Sequence, residues 1–234
     1  MGRVAHGHRY PRPMITPTRE PQVVGVRVSV ASDDPGATAA AYARLLDVPA
    51  DDLRRGAAEV RVVGGTDDDH AVDLCVTDVD AAARLLDRRG LAPDLPLGVV
   101  AASPPAPTGD VTGLDHVVFW CTDRDQAAAL FGATLGLDLR LDRQVADDTR
   151  QLFFRAGDVV VEVIVHDDGT PRPTVCVWGL AWHSPDLDVT HARLAAAAVD
   201  LSPIRTGRKP GTRIFTVKDP DLAIPTVVIG PELT

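Results

Sequence analysis

An α+β fold assembled from a repeated βαβββ unit is what this sequence predicts. Three observations carry the prediction. Short runs rich in Val, Ile and Phe alternate with helical segments rich in Ala and Leu. The order strand, helix, three strands occurs twice between residues 113 and 234. Finally, "TDVDAAARLLDRRGL" and "PDLDVTHARLAAAAVDL" echo one another, each opening a helix with D-x-D and continuing to Arg-Leu. Such a repeat shapes the architecture, because one unit cannot cover its own sheet face alone.

Residues 1–21 hold four Pro and four Arg without periodicity and read as a disordered tail, in which His6 and His8 stand close together. From Gln22 the pattern is regular. "QVVGVRVSV" reads as a strand. "DPGATAAAYARLLD" is a helix with Asp34 as N-cap and Pro35 at its first position. "AAEVRVV" and "HAVDLCV" are strands, and "DVDAAARLLDRRG" is a helix capped by Asp78 and stopped by Gly90. "SPPAPTGD" (Ser103 to Asp110) has linker composition. The expected division is a shortened unit pair at 22–105, a linker at 106–112 and a full pair at 113–234.

The second half restarts with the strand "LDHVVFWC". "DRDQAAALFGATLG" follows as a helix, with Asp123 as N-cap, Gln126 in capping-box position and Gly136 as a stop. "LDLRLDR", "TRQLFFRAG" and "DVVVEVIV" are three strands. "WGLAWHS" is the next strand, "DLDVTHARLAAAAVD" a helix, and "LSPIRTG", "GTRIFTVKD" and "IPTVVIG" close the chain as strands.

Composition narrows the function. The chain has 234 residues, 45% of them apolar, and a net charge of −9, which argues against a general nucleic-acid binder. Lys209 and Lys218 are the only lysines; this bias toward Arg suggests a GC-rich bacterial genome. Cys75, Cys121 and Cys176 are odd in number and form no C-x-x-C, so a reducing cytoplasm is expected rather than a disulfide framework. No apolar run approaches the ~20 residues of a membrane span. The N-terminal stretch lacks the apolar centre of a secretion signal. No G-x-S-x-G, P-loop, G-x-G-x-x-G or H-E-x-x-H occurs.

"LDHVVFWCTDRDQAAALFGATLGLDL" and "GLAWHSPDLDVTHARLAAAAVDL", in their βαβββ setting, resemble the vicinal oxygen chelate superfamily. That group includes glyoxalase I, fosfomycin and bleomycin resistance proteins, extradiol dioxygenases and methylmalonyl-CoA epimerase. The resemblance implies paired modules forming an open, U-shaped mixed sheet around a metal site. His116 then matches the histidine of the first strand, and Glu162 a carboxylate of the fourth. Both break otherwise apolar strands, and a buried polar group needs a partner. A divalent metal (Zn, Fe, Mn, Ni or Co) would be that partner.

The other half-site departs from the pattern. The fifth-strand His falls at Gly179 and the eighth-strand Glu near Thr226. His183 lies four residues past Gly179, about 13 Å along the strand at ~3.3 Å per residue, and is the candidate third ligand or general base. In Glu162's strand the all-valine face (Val159, Val161, Val163, Val165) is the better core candidate. The face with Val160, Glu162 and Ile164 is the better pocket lining.

Trp120, on the His116 face, is the best aromatic contact for a ligand. "TGRKPGTR" offers Arg208, Lys209 and Arg213 to an anion. Trp120, Arg208, Arg213 and Thr226 are therefore taken as substrate contacts. Two functions stay open: a metal-dependent lyase, isomerase or dioxygenase-like enzyme acting on a small oxygenated substrate, and a metal-free, non-catalytic drug binder of the bleomycin-resistance type. A homodimer is a further expectation, since the family pairs modules across subunits.

Overall fold

The computed structural model describes residues 21–66, 69–166 and 174–232. The N-terminal segment with His6 and His8 lies outside the described residues. Two open sheets form, each from its own stretch of chain.

The first sheet contains β1 (Val23–Ser32), β2 (Arg54–Arg55), β3 (Ala58–Gly64), β4 (Ala71–Val76) and β5 (Leu97–Ala101) in the order β2-β3-β1-β4-β5. β3 runs parallel to β1, β4 antiparallel to β1 and β5 parallel to β4. Helix α1 (Pro35–Leu46) links β1 to the β2–β3 pair, and α2 (Val79–Arg88) links β4 to β5. Asp34 caps α1 by accepting from the amides of Gly36 and Ala37, and Asp78 caps α2 by accepting from that of Ala81. This is a shortened pair of units. The sequence reading assigned no strand to "LGVVA"; β5 exists because its backbone pairs with β4, a long-range contact without a local signal.

The second sheet has eight strands. They are β6 (Gly113–Cys121), β7 (Asp138–Ala146), β8 (Thr149–Ala156), β9 (Val159–His166), β10 (Val175–His183), β11 (Arg205–Thr206), β12 (Thr212–Val217) and β13 (Thr226–Pro231). Their order is β11-β12-β13-β10-β6-β9-β8-β7, so the first strands of the two modules, β6 and β10, meet antiparallel at the centre. β9 lies parallel to β6, and β13 parallel to β10. The α+β architecture of paired βαβββ modules is therefore present.

Helix α3 (Arg124–Ala127) widens into a π-helical stretch, Ala128–Thr134, where one regular helix was expected. The wider turn carries the fully buried Phe131 between Phe119 and Phe154, with ring centroids 5.1 and 5.6 Å away. Helix α4 (Leu187–Ala196) covers the other module; its His191 meets Phe215 edge-on at 5.0 Å.

Strand alternation sorts the second sheet into two faces. Val117, Phe119, Val161, Val163, Phe154, Trp182 and Phe215 face the helices and are buried. The opposite, open face carries half-buried residues such as His116, Trp120, Val160 and Ile164. Buried residues of both sheets join one apolar core. No described helix is long and apolar enough to cross a membrane.

The C-terminal end of α1 ties the two sheets together. Arg55 donates to the carbonyls of Leu46 (2.7 Å), Pro107 (3.1 Å) and Asp47. From α4, Arg193 donates to the carbonyls of Arg44 (2.7 Å) and Leu45 (2.9 Å) and grips Asp110 through two hydrogen bonds. Carbonyls that a helix leaves unpaired at its end, where the dipole is negative, thus receive two guanidinium groups.

Candidate functional site

The site lies on the open face of the central strands. Register sets it: His116 pairs with Val160, Val118 with Glu162 and Trp120 with Ile164, so alternate residues of β6 and β9 share that face. Phe153 of β8 pairs with Glu162, and Gln151 with Ile164, which brings both residues to the same face. The β6–β10 ladder shifts between Ala181 and Trp182, leaving Asp115 unpaired beside His116. A bulge of this kind re-aims a side chain.

A continuous polar chain results. His116 Nδ1 lies 2.7 Å from Asp115 Oδ1, and its Nε2 lies 3.5 Å from Glu162 Oε2. Gln151 Nε2 donates to Glu162 Oε1 at 2.7 Å. The Gln151 amide oxygen accepts from Arg143 Nε at 3.2 Å and Nη2 at 2.8 Å, and the Arg143 guanidinium stacks over Phe153 at 5.6 Å. An arginine only donates, so the Gln151 amide orientation is fixed chemically. Glu162 is 8% exposed and Gln151 5%, so these groups need the partners they have.

The two carboxyls are tuned apart. Burial pushes Glu162 up, opposed by the charges of His116, Arg143 and Arg208. Burial also acts to raise Asp115, but the hydrogen bond from His116 and the charges of His116, Lys209 and His183 outweigh it and hold it below the usual range. A proton-exchange pair needs one group that keeps its proton beside one that yields it.

The turn between β11 and β12 supplies Arg208 and Lys209, whose fields reach Glu162 and Asp115 respectively. Arg213 lies elsewhere: it pairs with Asp188 of α4 at 2.7 Å, on the helix side. Thr226 is also on the helix side. It pairs with Leu180, is 1% exposed, and donates to the Ile224 carbonyl at 2.8 Å. Alternation separates both residues from the His116 face. His183 accepts or donates at Nδ1 with the Thr112 hydroxyl, 2.7 Å away, and sits at the strand end opposite Gly113. Trp120 meets His166 edge-on at 5.3 Å and Trp178 at 6.2 Å, and Trp178 is 43% exposed. Trp182 fills the core.

The sequence reading missed Asp115, Gln151 and Arg143. A signal existed for Gln151, a polar residue alternating with Phe153 on the face opposite Leu152 and Phe154. Asp115 needed the bulge, which only strand pairing reveals.

These donors do not fit a resident metal held by three or four protein side chains. Gly179 has no side chain, and the residue of β13 across from Ala181 is Val227. His116 Nε2 and Glu162 Oε2 are the two donors that converge. Among the described residues no three His, Cys, Asp or Glu side chains are grouped to bind an ion.

Two βαβββ modules sharing one open sheet through antiparallel first strands define the class: a vicinal oxygen chelate fold. Residues 115–216 match the family model of the Glyoxalase/Bleomycin resistance protein/Dioxygenase superfamily. A triple mutant of 4-hydroxymandelate synthase from Streptomyces coelicolor shares the fold over 91% of this chain and 93% of its own, at 15% identity and a TM-score of 0.64. The methylmalonyl-CoA epimerase of Mycobacterium tuberculosis aligns with 54% of this chain and 92% of its own, at 23% identity and a TM-score of 0.45. No curated protein matches the sequence.

Proposed function

We propose that the open face of the second sheet binds a small oxygenated molecule and moves protons on it, with His116 and Glu162 as the acid–base pair. One observation carries this reading: both ring nitrogens of His116 face carboxylates, at 2.7 and 3.5 Å, on the half-buried open face. Asp115, kept ionised, accepts only, so His116 Nδ1 donates to it and Nε2 is the ring nitrogen turned to Glu162 on the open face. Glu162, pushed up by burial, holds a proton longer than an exposed carboxyl would. Its Oε2 stands 3.5 Å from Nε2, too far for a strong hydrogen bond, so neither group is locked to the other. One removes a proton next to a carbonyl and the other protonates the developing enolate oxygen. Groups so placed contribute about 10²–10⁴-fold in rate. The reaction class is isomerisation or lyase chemistry, without a metal in any step. The three cysteines, none of them in a disulfide, support a reducing, cytoplasmic setting. Leu139, Leu141 and Val145, exposed on edge strand β7, support a homodimer, which sedimentation velocity would read.

The test is hydrogen–deuterium exchange at carbon, followed by proton NMR in D2O, on 2-oxo acids and acyl thioesters. The wild type is expected to catalyse exchange on at least one member. His116→Gln and Glu162→Gln are each expected to slow it by about 10²-fold or more while keeping the wild-type circular dichroism. Saturable ligand binding with no exchange, unchanged by either substitution, would establish the non-catalytic binder instead.

A further inference from the structure

We infer that Arg143, on a strand two removed from Glu162, is a positioning residue: acting through Gln151, it reserves Oε1 of Glu162 as an acceptor and leaves Oε2, the oxygen beside His116, to carry the proton. The inference rests on the reading of His116 and Glu162 as the acid–base pair, and it adds the residue that decides where the proton of the acid sits.

Strand pairing brings the three side chains together. Arg143 of β7 pairs with Gln151 of β8. Gln151 pairs with Ile164 of β9, so Glu162, two residues earlier in β9, is its diagonal neighbour on the same face. Diagonal neighbours across a sheet stand about 7–8 Å apart, within reach of long side chains. Phe153, the direct partner of Glu162, carries the Arg143 guanidinium over its ring at 5.6 Å, which holds the plane of that group.

Hydrogen-bond polarity then runs one way. Arg143 donates to the Gln151 amide oxygen from Nε at 3.2 Å and Nη2 at 2.8 Å, and it can only donate. The other end of the amide is therefore its nitrogen, which donates to Glu162 Oε1 at 2.7 Å. A carboxyl group with one oxygen taken as an acceptor puts its proton on the other, because its carbonyl oxygen accepts far better than its hydroxyl oxygen. The proton of Glu162 then sits on Oε2, 3.5 Å from His116 Nε2. A proton delivered to an enolate oxygen leaves from Oε2, and the carboxylate that forms keeps its bond from Gln151.

The partners of Arg143 support the same role. Arg124 and Arg150 both pair with Asp142, whereas Arg143, the next residue along, has no carboxylate partner among the described residues and directs both bonds at a neutral amide. Gln151 is 5% exposed, while Arg143 lies on an exposed edge strand. Without the guanidinium the buried amide loses the donor that tells its oxygen end from its nitrogen end. Turned over, it would present its oxygen to Glu162 and accept a proton from Oε1, on the side away from His116.

The first measurement needs no substrate. In a proton–nitrogen correlation spectrum the side-chain amide of Gln151 is assigned by its loss in Gln151→Met. Its hydrogens are expected to exchange with water about tenfold faster or more in Arg143→Met, the scale of one lost charge-assisted hydrogen bond. Arg143→Lys restores a donor to the amide oxygen and should return the rate toward that of the wild type. Arg140→Met removes the same charge from an exposed position of the same strand, where Arg140 pairs with Asp138 at 2.6 Å, and should change nothing. The second measurement is deuterium exchange at carbon on 2-oxobutanoate and S-ethyl thiopropionate. Arg143→Met should lower kcat about tenfold with KM within about twofold, and Arg143→Lys should recover most of the loss. In a Gln151→Met background Arg143→Met should have no further effect.

Unchanged amide exchange in Arg143→Met would overturn the inference, as would no recovery in Arg143→Lys. So would a raised KM at constant kcat, which marks an arginine that touches substrate. An equal kcat loss in the Gln151→Met background would do the same, since it marks the charge of Arg143 acting directly on Glu162. A faster amide in Arg143→Met, with no deuterium exchange by the wild type on either probe, would leave the positioning chain standing and remove the acid–base reading.

Discussion

Glu162 carries opposed demands of stability and chemistry. Burial raises its pKa above the ordinary value of 4.5, so the folded chain holds the proton more tightly than the unfolded chain does. Stability therefore falls as pH rises from about 4.5 through the folded value, and the deficit is constant above that. Asp115 works the other way. Its lowered pKa adds stability above 3.8 that is lost as pH falls through the folded value. Glu162→Gln should therefore melt higher than the wild type at neutral pH, by a margin that shrinks toward zero below pH 4.5, while exchange is lost. A margin independent of pH would show that ionisation of Glu162 is not its source. Gln151 is a positioning residue by the same logic. Gln151→Met leaves Glu162 Oε1 and Arg143 without their shared partner, at a cost of about 1–3 kcal/mol in stability. It also removes a donor that favours the carboxylate, so the acidic limb of the exchange profile should move to higher pH. A lower melting temperature with an unmoved limb would reduce Gln151 to a packing role.

At the scale of elements, register decides what a residue can do. His116 and Glu162 stood out in the sequence because each interrupts an apolar strand, and period-two alternation gave Val159, Val161, Val163 and Val165 as the buried side, which they are. Arg208 and Arg213 looked equivalent in the sequence, both being cations of one Gly/Pro loop. Pairing of β12 with β13 turns Arg213 toward α4, while Arg208 stays in the exposed turn before β12, a distinction local pattern cannot make. The β5 strand and the Asp115 bulge escaped notice for the same reason, since both arise between strands far apart in sequence. The register also defines the donor that is absent. Gly179 pairs with Val118, and Val118 with Glu162, so a side chain at 179 would share the open face with both donors. A β-carbon there meets the Pro225 carbonyl at 3.3 Å and Val118 at 3.8 Å, which calls for only a small adjustment. Gly179→His should thus complete a His116, Glu162 and His donor set and retain near-stoichiometric Zn after dialysis. The wild type should retain well under one equivalent. One equivalent in the wild type, lost in His116→Ala, would overturn the metal-free account.

For the whole molecule, the question is whether the two sheets are one folding unit or two. Their buried residues form one apolar cluster, and the C-terminal end of α1 is held from both sides by Arg55 and Arg193. These contacts differ in weight. Arg44 and Asp219 also bridge the halves, at 2.9 Å, but the Arg44 side chain is 40% exposed, and exposed pairs are worth about 0–1 kcal/mol. Arg193 makes four hydrogen bonds, two to the Asp110 carboxylate and two to carbonyls of α1, from a mostly buried position. Removing it strands Asp110, a carboxylate only 15% exposed, and frees helix carbonyls at the negative end of the dipole. Arg193→Ala should cost about 2–4 kcal/mol and Arg44→Ala under about 1 kcal/mol. Calorimetry of the wild type should give one transition, with calorimetric and van't Hoff enthalpies in agreement. Arg193→Ala should lower that transition or split it in two. Two transitions already present in the wild type, with Arg193→Ala no worse than Arg44→Ala, would mean that the sheets fold independently and that the α1 end is a surface contact rather than a joint.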